Sequence, residues 1–292
     1  MKPAPFEYVR PESVPEAVEL LGEHGEEGKI LAGGQSLGPL LNMRMASPGM
    51  LIDINRLEEL SYIRREGGHL RIGALARQRT IERSSTIPEN WPLLAEAAPF
   101  IGHATLRNRG TICGSLAHSD PAAELPAVAS ALDAELHILG PSGERVASPG
   151  EFFRSYMTTS LEPDELLAEV RIPLTQPRTG TAWIELARRH GDYALVGVAA
   201  LLTLGEDGKC RAARLIYTGV APVPYDAREA SDLLVGQTPT EEAFASVAEQ
   251  AAASSEPGSD VHASAAYRRH LVETLTRRAL GKALERARQK EA

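Results

Sequence analysis

The hydrophobic and polar positions of the first region alternate between short apolar runs and helical spacing. Ser13-x-x-Glu16 is a capping-box pattern, and the apolar positions that follow predict a helix through Leu20 and Leu21. "KILAGG" then reads as a strand that ends at its glycines, so the chain opens strand, helix, strand, with a further helix expected near Pro39. Met50 to Ile54 forms a second short apolar strand, and "LSYIRREGGHLRIGAL" reads as two strands about the Gly67-Gly68 turn. Thr80 is placed to cap a helix, and "WPLLAEAAPFI" carries apolar residues at helical spacing. A glycine-punctuated loop, "RNRGTICGS", comes next. Asp120-Pro121 then pairs an N-cap residue with proline at the first helical position, predicting a helix through "AAELPAVASAL" despite Pro126. "AELHIL", the turn Gly140-Pro141-Ser142-Gly143 and a further strand pair close the region.

The pattern breaks at "RIPLTQPRTG" (171–180), where prolines, polar residues and a glycine mark a boundary. Beyond it, "ALVGVAALLTL", a turn at Gly205 to Gly208 and "CRAARLIYTGV" predict strands, and only helix signals follow from about Arg228. That order implies an antiparallel sheet covered by helices. The small, polar segment 248–263 reads as a connection, and Leu271, Leu275, Ala279 and Ala283 recur at i+4 on a last, basic helix.

Composition narrows the function classes. The chain has 292 residues, 43% of them hydrophobic, enough for an ordinary core and more readily two domains than one. A net charge of −8 argues against nucleic acid as a partner. No apolar run approaches a membrane span, and "MKPAPFEYVRPESV" lacks the apolar core of a signal peptide, so a soluble cytoplasmic protein is expected. Two cysteines, Cys113 and Cys210, are too few to hold an iron–sulfur cluster and give no disulfide framework. Any one-electron relay must come from another chain.

Gly34-Gln35-Ser36-Leu37-Gly38 fits the G-x-S-x-G pattern of a hydrolase nucleophile elbow. Only 33 residues precede it, too few to build the sheet that supports such an elbow, and no later acid and histidine stand out as a pair, Asp192 and His262 included. The other reading is a strand, glycines and a helix start presenting backbone N–H groups to a phosphate. A single glycine loop is as easily a tight turn. Two are more telling: Ala32 to Ser36 ("AGGQS") and Thr111 to Ser115 ("TICGS") each place glycine where a side chain would block a close approach, and each ends in a serine hydroxyl. Neither is a Walker A loop or a Rossmann fingerprint.

Three segments, "KILAGGQSLGPLLNMRM…LIDI", "LRNRGTICGSLAHSDPAAELPAV" and "RRHGDYALVGVAA", occur in an order that resembles the FAD-binding medium subunit of molybdenum hydroxylases. That group includes carbon monoxide dehydrogenase and the xanthine, nicotine and quinoline dehydrogenases. The resemblance covers about residues 1–288. It implies an α+β fold: an FAD-binding domain of the vanillyl-alcohol-oxidase (PCMH) type over 1–176, with subdomains of about 1–55 and 56–176, and a C-terminal domain of antiparallel sheet and helices over 177–288.

The resemblance also implies a cofactor site. The loop Ala32, Gly33, Gly34, Gln35 and Ser36 and the loop from Thr111 through Cys113 and Gly114 to Ser115 hold the FAD diphosphate, and the flanking Leu31, Leu37 and Gly110 also contact the cofactor. Ile101 and Gly102, with Thr105 and Asn108, lie by the cofactor, as do His118, Leu161 and Leu167; Asp120 or Glu124 anchors the adenosine half, and Tyr193 stands near the flavin ring. On the residues alone, alternatives stay open: Asp120 is an N-cap whatever else it does, Glu124 can be a solvated carboxylate facing the helix dipole, and Tyr193 can be a strand aromatic. His103 and His118 can be surface histidines, and Arg107 and Arg109 tempt as a phosphate clamp but can be solvated. Cys113 stands where many relatives have glycine, and Glu185 where some carry lysine.

The implied role is electron transfer. A large partner subunit oxidises substrate at a molybdopterin cofactor, a small iron–sulfur subunit carries two [2Fe–2S] clusters, and the flavin held here delivers electrons to an external acceptor. The assembly expected is a dimer of heterotrimers, with no catalytic side chain and no metal ligand in this chain. The basic end of the chain, eight Arg or Lys against three Glu over 263–292, reads either as a solvated helix face or as a docking surface presenting Arg277, Arg278 and Arg286. A stand-alone FAD oxidoreductase of the same fold is the alternative. It needs its own substrate cap, for which the C-terminal domain is small, and often a covalent flavin link, for which the first loop offers no histidine.

Overall fold

The computed structural model describes residues 2–289. The first region builds a three-stranded parallel sheet from β1 (Glu7–Val9), β2 (Gly28–Leu31) and β3 (Met50–Asp53), in the order β1-β3-β2. β3 is central and buried along its whole length, which explains why "MLIDI" reads as an apolar run interrupted only by Asp53. The helix Val14–His24 joins β1 to β2 and packs Ala17 and Leu21 inward. Its capping box is half formed: the Ser13 hydroxyl accepts from the Glu16 N–H at 3.3 Å, but the Glu16 carboxylate accepts from the N–H of Glu12, at 2.6 Å, instead of Ser13.

The second sheet contains β4 (Ile63–Glu66), β5 (His69–Gly73), β6 (Glu135–Gly140) and β7 (Gly143–Ala147). After the small hairpin β8 (Phe153–Ser155) and β9 (Thr158–Thr159), β10 (Leu166–Pro173) returns between β5 and β6, giving the antiparallel order β4-β5-β10-β6-β7. Residues 174–178 then lead to the third sheet, an antiparallel meander of β11 (Thr179–Ala187), β12 (Ala194–Leu204), β13 (Cys210–Thr218) and β14 (Tyr225–Asp226). One face of this sheet is covered by the helices Glu241–Ser254 and Ala265–Gln289, the latter burying Leu271, Leu275, Ala279 and Ala283. Contact there is close enough that a Cβ on Gly180 would lie 1.8 Å from the Ala283 carbonyl oxygen. The other face contributes Trp183, Ala199 and Ile216 to the core of the first region. The C-terminal sheet is therefore sandwiched between its own helices and the preceding half of the chain.

Three local expectations need correction. Thr80 lies inside the helix Gln78–Glu82, whose N-cap is Arg77, because the Gln78 N–H bonds the Gly110 carbonyl and Arg77 bridges Thr111, which sets the start earlier. The helix after Asp120 begins at Glu124, three residues later than the Asp-Pro pair predicts. Asp120 instead closes a turn, accepting the Ala122 N–H at 2.9 Å. The later start puts Pro126 in the first turn, where its missing N–H leaves no intrahelical bond unmade. Residues 248–254 are helical, since Val247, Ala248 and Ala251 continue a buried face, and the connection is confined to 255–264.

Candidate functional site

The first loop runs from the end of β2 into the short helix Leu37–Asn42, and its shape depends on two glycines. Gly34 has φ +69°, a region that favours residues without a side chain. Gly33 faces the second loop: a Cβ there would lie 2.5 Å from the Arg109 carbonyl oxygen and 2.8 Å from Gly110 Cα. The two loops, over seventy positions apart in the chain, are in direct backbone contact. Gln35 folds back to donate to the Gly33 carbonyl at 2.8 Å. The Ser36 hydroxyl makes no hydrogen bond among the described residues, to Asp192 of the same cleft or to any histidine, and His262 Nδ1 sits 3.1 Å from Arg188. The geometry therefore assembles no nucleophile triad.

The second loop opens the helix Ile112–His118 with Thr111 as N-cap, accepting from the Gly114 N–H at 3.1 Å. A Cβ on Gly114 would lie 2.7 Å from that threonine oxygen. Cys113 turns the other way. Its side chain is buried, 4.0 Å from the Ile72 carbonyl, and burial pushes its thiol pKa up. The cysteine side chain in this loop is thus absorbed by the core, and the neighbouring Ser115 is left half-buried on the cleft side.

Both loops line one cleft of about 860 Å³, within the range of about 300–1,000 Å³ common for ligand and cofactor sites. Ala32 through Leu37, Ile101, Gly102, Gly110, Thr111, Cys113, Gly114, Ser115, His118, Asp120, Glu124, Leu161, Leu167 and Tyr193 all line it. Leu31, Thr105 and Asn108 lie outside the lining; Thr105 and Asn108 are exposed and Leu31 is half-buried. Arg107 is no phosphate clamp. It is buried, donates to Glu82 at 2.8 and 2.9 Å, and holds the carbonyls of Ile101 and Gly102 at 3.0 and 2.8 Å. Hydrogen bonds from Arg107 and then Arg79, opposed by burial, hold the Glu82 carboxyl at about 2. His103 packs against Gly191, where a Cβ would lie 2.4 Å from its ring.

Away from the glycine loops the cleft is acidic. Glu124 is buried, and burial, reinforced by Asp120, raises its carboxyl to about 7. Glu185, on β11, accepts from the Trp183 indole at 3.2 Å; burial and then the charge of Glu124 lift it to about 8. Tyr193 stands at the mouth, its phenol raised to about 12 by partial desolvation and then by the Asp120 carboxylate. The C-terminal sheet reaches this end directly, since the Thr218 hydroxyl donates to the Pro121 carbonyl at 2.7 Å and the Gly219 N–H to the same oxygen at 2.9 Å. Arg286 of the last helix donates to the Thr181 carbonyl at 2.6 Å and pairs with Glu96, so it is an internal tie and no part of a free docking face. Arg277 and Arg278 remain exposed, and Lys290 and Glu291 of the basic segment lie outside the described residues.

Sequence reading missed Asn55 and Arg77, which hold the loops from behind, Gln78, which holds the second loop and also lines the cleft, and the lining residues Met157 and Thr158. None carries a local motif; each acts through a contact made only in the fold.

The arrangement fits FAD. Glycines are placed where loop backbone must approach closely, two serine hydroxyls are available, and the cleft extends from the loops to polar and aromatic groups. Residues 4–175 match the FAD binding domain in molybdopterin dehydrogenase, and residues 181–283 match the CO dehydrogenase flavoprotein C-terminal domain. The chain is 45% identical to 6-hydroxypseudooxynicotine dehydrogenase complex subunit alpha of Paenarthrobacter nicotinovorans, over 99% of this chain and 97% of that one. It is 38% identical to caffeine dehydrogenase subunit beta of a Pseudomonas species, over 98% and 97%. Among solved structures, it matches carbon monoxide dehydrogenase from Hydrogenophaga pseudoflava, in a form lacking the Mo-pyranopterin moiety of its cofactor. The TM-score is 0.94 and the identity 40%, over 98% of this chain and 99% of that one.

Proposed function

We propose a function from the premise that this chain belongs to the FAD-binding medium subunits of the molybdenum hydroxylase family: it is the electron-transfer subunit of a molybdopterin-dependent dehydrogenase. Bound FAD supplies a carrier that exchanges electrons singly or in pairs. The chain works with a small subunit carrying two [2Fe–2S] clusters and a large molybdopterin subunit, as a dimer of heterotrimers in the cytoplasm, and passes electrons to an external acceptor.

The protein's own residues bind and orient. The backbone of Ala32–Ser36 and Thr111–Ser115 receives the diphosphate, and the Ser36 and Ser115 hydroxyls donate to its oxygens. Asp120 and Glu124 accept hydrogen bonds from the cofactor's hydroxyl groups, and Tyr193 restricts water at the mouth. The observation that carries this reading is the contact of Gly33 with the Arg109 carbonyl, which brings both loops to one point of a single cleft.

The test is the visible spectrum of the purified chain after incubation with FAD and desalting, beside Gly33→Asp and Gly114→Asp. Oxidised-flavin bands kept by the wild type and lost by both folded variants are the expected result. Correctly folded wild type that retains no flavin alone or in complex with its partners would overturn it. Co-purification of Arg277→Glu/Arg278→Glu with the other subunits tests docking through the last helix, and unchanged assembly at moderate salt rules that face out.

A further inference from the structure

Behind the two glycine loops runs a chain of hydrogen bonds that joins both loops, and its central members, Asp53, Asn55 and Arg77, lie outside the cleft lining. Asn55, just past β3, donates from its amide nitrogen to the Leu31 carbonyl at 3.2 Å and to the Ala32 carbonyl at 2.8 Å, and so grips the first loop where it leaves β2. The Asn55 amide is itself fixed by Asp53, which accepts from its side chain at 2.6 Å and from its backbone at 2.9 Å. With the nitrogen so committed, the Asn55 side-chain oxygen faces away from the first loop, and Arg77 donates to it at 2.7 Å. The other terminal nitrogen of Arg77 donates to the Arg109 carbonyl, also at 2.7 Å. That oxygen is the same atom against which Gly33 is pressed.

The Arg109 carbonyl is thus held from two sides, by Gly33 of the first loop and by the guanidinium of Arg77. Gln78, buried beside Arg77, extends the grip: its N–H bonds the Gly110 carbonyl at 2.9 Å and its side chain the Thr111 carbonyl at 3.3 Å. We infer that Arg77 is a positioning residue that sets the separation and relative orientation of the two loops by bridging Asn55 and the Arg109 carbonyl. The planar, two-nitrogen fork is what the geometry needs, because its two acceptors come from different subdomains and must be held at once. A lysine carries the same charge as a single point and cannot hold both in fixed directions. The inference deepens the proposed function and rests on it only for the identity of the ligand; the clamp itself is a property of the ligand-free chain.

The experiment uses the full chain as wild type, Arg77→Ala and Arg77→Lys, with two readouts. Without ligand, amide hydrogen exchange is followed across the chain. Local release of the clamp predicts exchange about tenfold faster within 32–36 and 110–114 in Arg77→Ala, with the strands of the second and third sheets unchanged. With ligand, dissociation constants are measured for FAD, ADP and riboflavin. FAD and ADP are expected to weaken by about tenfold in both variants, while riboflavin, which has no diphosphate, is unaffected. Unchanged exchange in 32–36 would overturn the clamp whatever the flavin does, and so would an Arg77→Lys protein that exchanges and binds as the wild type does, since charge alone would then suffice. Faster exchange throughout the domain, with riboflavin weakened equally, would assign Arg77 a general structural role and also overturn it. If wild type binds neither FAD nor ADP, the proposed function fails while the exchange measurement still decides the clamp.

Discussion

The two ends of the cleft are built on opposite principles. At the glycine-loop end the working groups are backbone N–H groups and two hydroxyls, fixed by close packing and by a relay of hydrogen bonds from behind. None of them titrates near neutral pH. At the other end the walls include Asp120, Glu124 and Tyr193, brought together from the turn before one helix, from that helix and from the loop between β11 and β12, with Glu185 of β11 near enough for the charge of Glu124 to act on it and the carboxyls of Glu124 and Glu185 raised to about 7 and about 8. If the glycine loops take a diphosphate as proposed, ionised carboxylates in the same cleft would repel the ligand's charge. The raised pKa values soften this conflict, since a neutral carboxyl can donate as well as accept.

The sharpest way to break the comparison is steric. Gly33→Ala puts a Cβ 2.5 Å from a backbone oxygen that is itself pinned, whereas Gly38→Ala, five residues on, meets open space. Forcing backbone apart costs about 1–3 kcal/mol, and because the displaced atom belongs to the second loop the cost falls on the ligand site. Gly33→Ala is expected to weaken FAD binding by about a hundredfold, an effect of about 3 kcal/mol. Gly38→Ala should leave binding unchanged and slightly stabilise the helix Leu37–Asn42. Fluorescence quenching of FAD on titration measures both.

The acidic end predicts a pH effect of opposite sign to that of ordinary ion-paired carboxylates. Glu124 and Glu185 have folded pKa values raised from 4.5 to about 7 and about 8, chiefly by burial. The folded chain therefore binds more protons than the unfolded chain between these values, and stability falls as pH rises. The stability is fully present below about pH 4.5 and is lost through pH 7 to 8. Since the two carboxyls are coupled, they are treated as one unit worth about 2–3 kcal/mol. Thermal unfolding of the ligand-free chain at intervals from pH 5 to 8.5 should show Tm falling, and Glu185→Gln should flatten the fall. A Tm that rises across this window would break the assignment. Glu82 works the other way: its folded value of about 2 contributes stability above pH 4.5 that is lost as pH falls towards 2.

The contrast also explains what could be read from the chain. The glycine loops are local strings, and close approach leaves a mark in composition, so Ala32–Ser36 and Thr111–Ser115 were legible, as was the order of strands and helices around them. The FAD-binding domain and the antiparallel sheet with helices both correspond to the architecture observed. The acidic end was only half legible. Asp120, Glu124 and Tyr193 could be suspected, but the coupling of Glu185 to Glu124 depends on β11 packing beside a helix sixty positions earlier, and no periodicity encodes that. Arg77 and Asn55 were invisible for the same reason. Local turn chemistry misled at Asp120-Pro121, where Pro126 overrides an otherwise strong helix start.

A smaller effect separates the cleft from the frame that carries it. Arg286 and Glu96 join the last helix to the helix Pro92–Ala97, and Glu96 also accepts the Trp183 N–H at 3.2 Å. Because both side chains are partly exposed, Arg286→Ala is expected to cost about 1–2 kcal/mol of stability, from the lost bonds and the carboxylate left short of a partner. If the glycine loops hold FAD as proposed, its affinity should stay the same. Calorimetry and the FAD titration on one preparation distinguish these, and a loss of affinity as large as the loss of stability would mean that the loops depend on the C-terminal domain.

The smallest effect concerns Cys113, the buried thiol of the second loop. If that loop binds through backbone alone, what matters is where the side chain goes, and it goes inward, 2% exposed beside the Ile72 carbonyl. A desolvated thiol with a raised pKa has little thiolate at neutral pH, so it is a poor nucleophile and a poor redox partner. Cys113→Ala is expected to leave FAD affinity within about 0.5 kcal/mol of wild type while costing about 1 kcal/mol of stability for the lost sulfur contacts. Native protein should also resist an aromatic disulfide reagent until unfolded. Rapid labelling of Cys113 in folded chain, protected by FAD, would place the thiol on the cleft side and make this loop, too, a side-chain site.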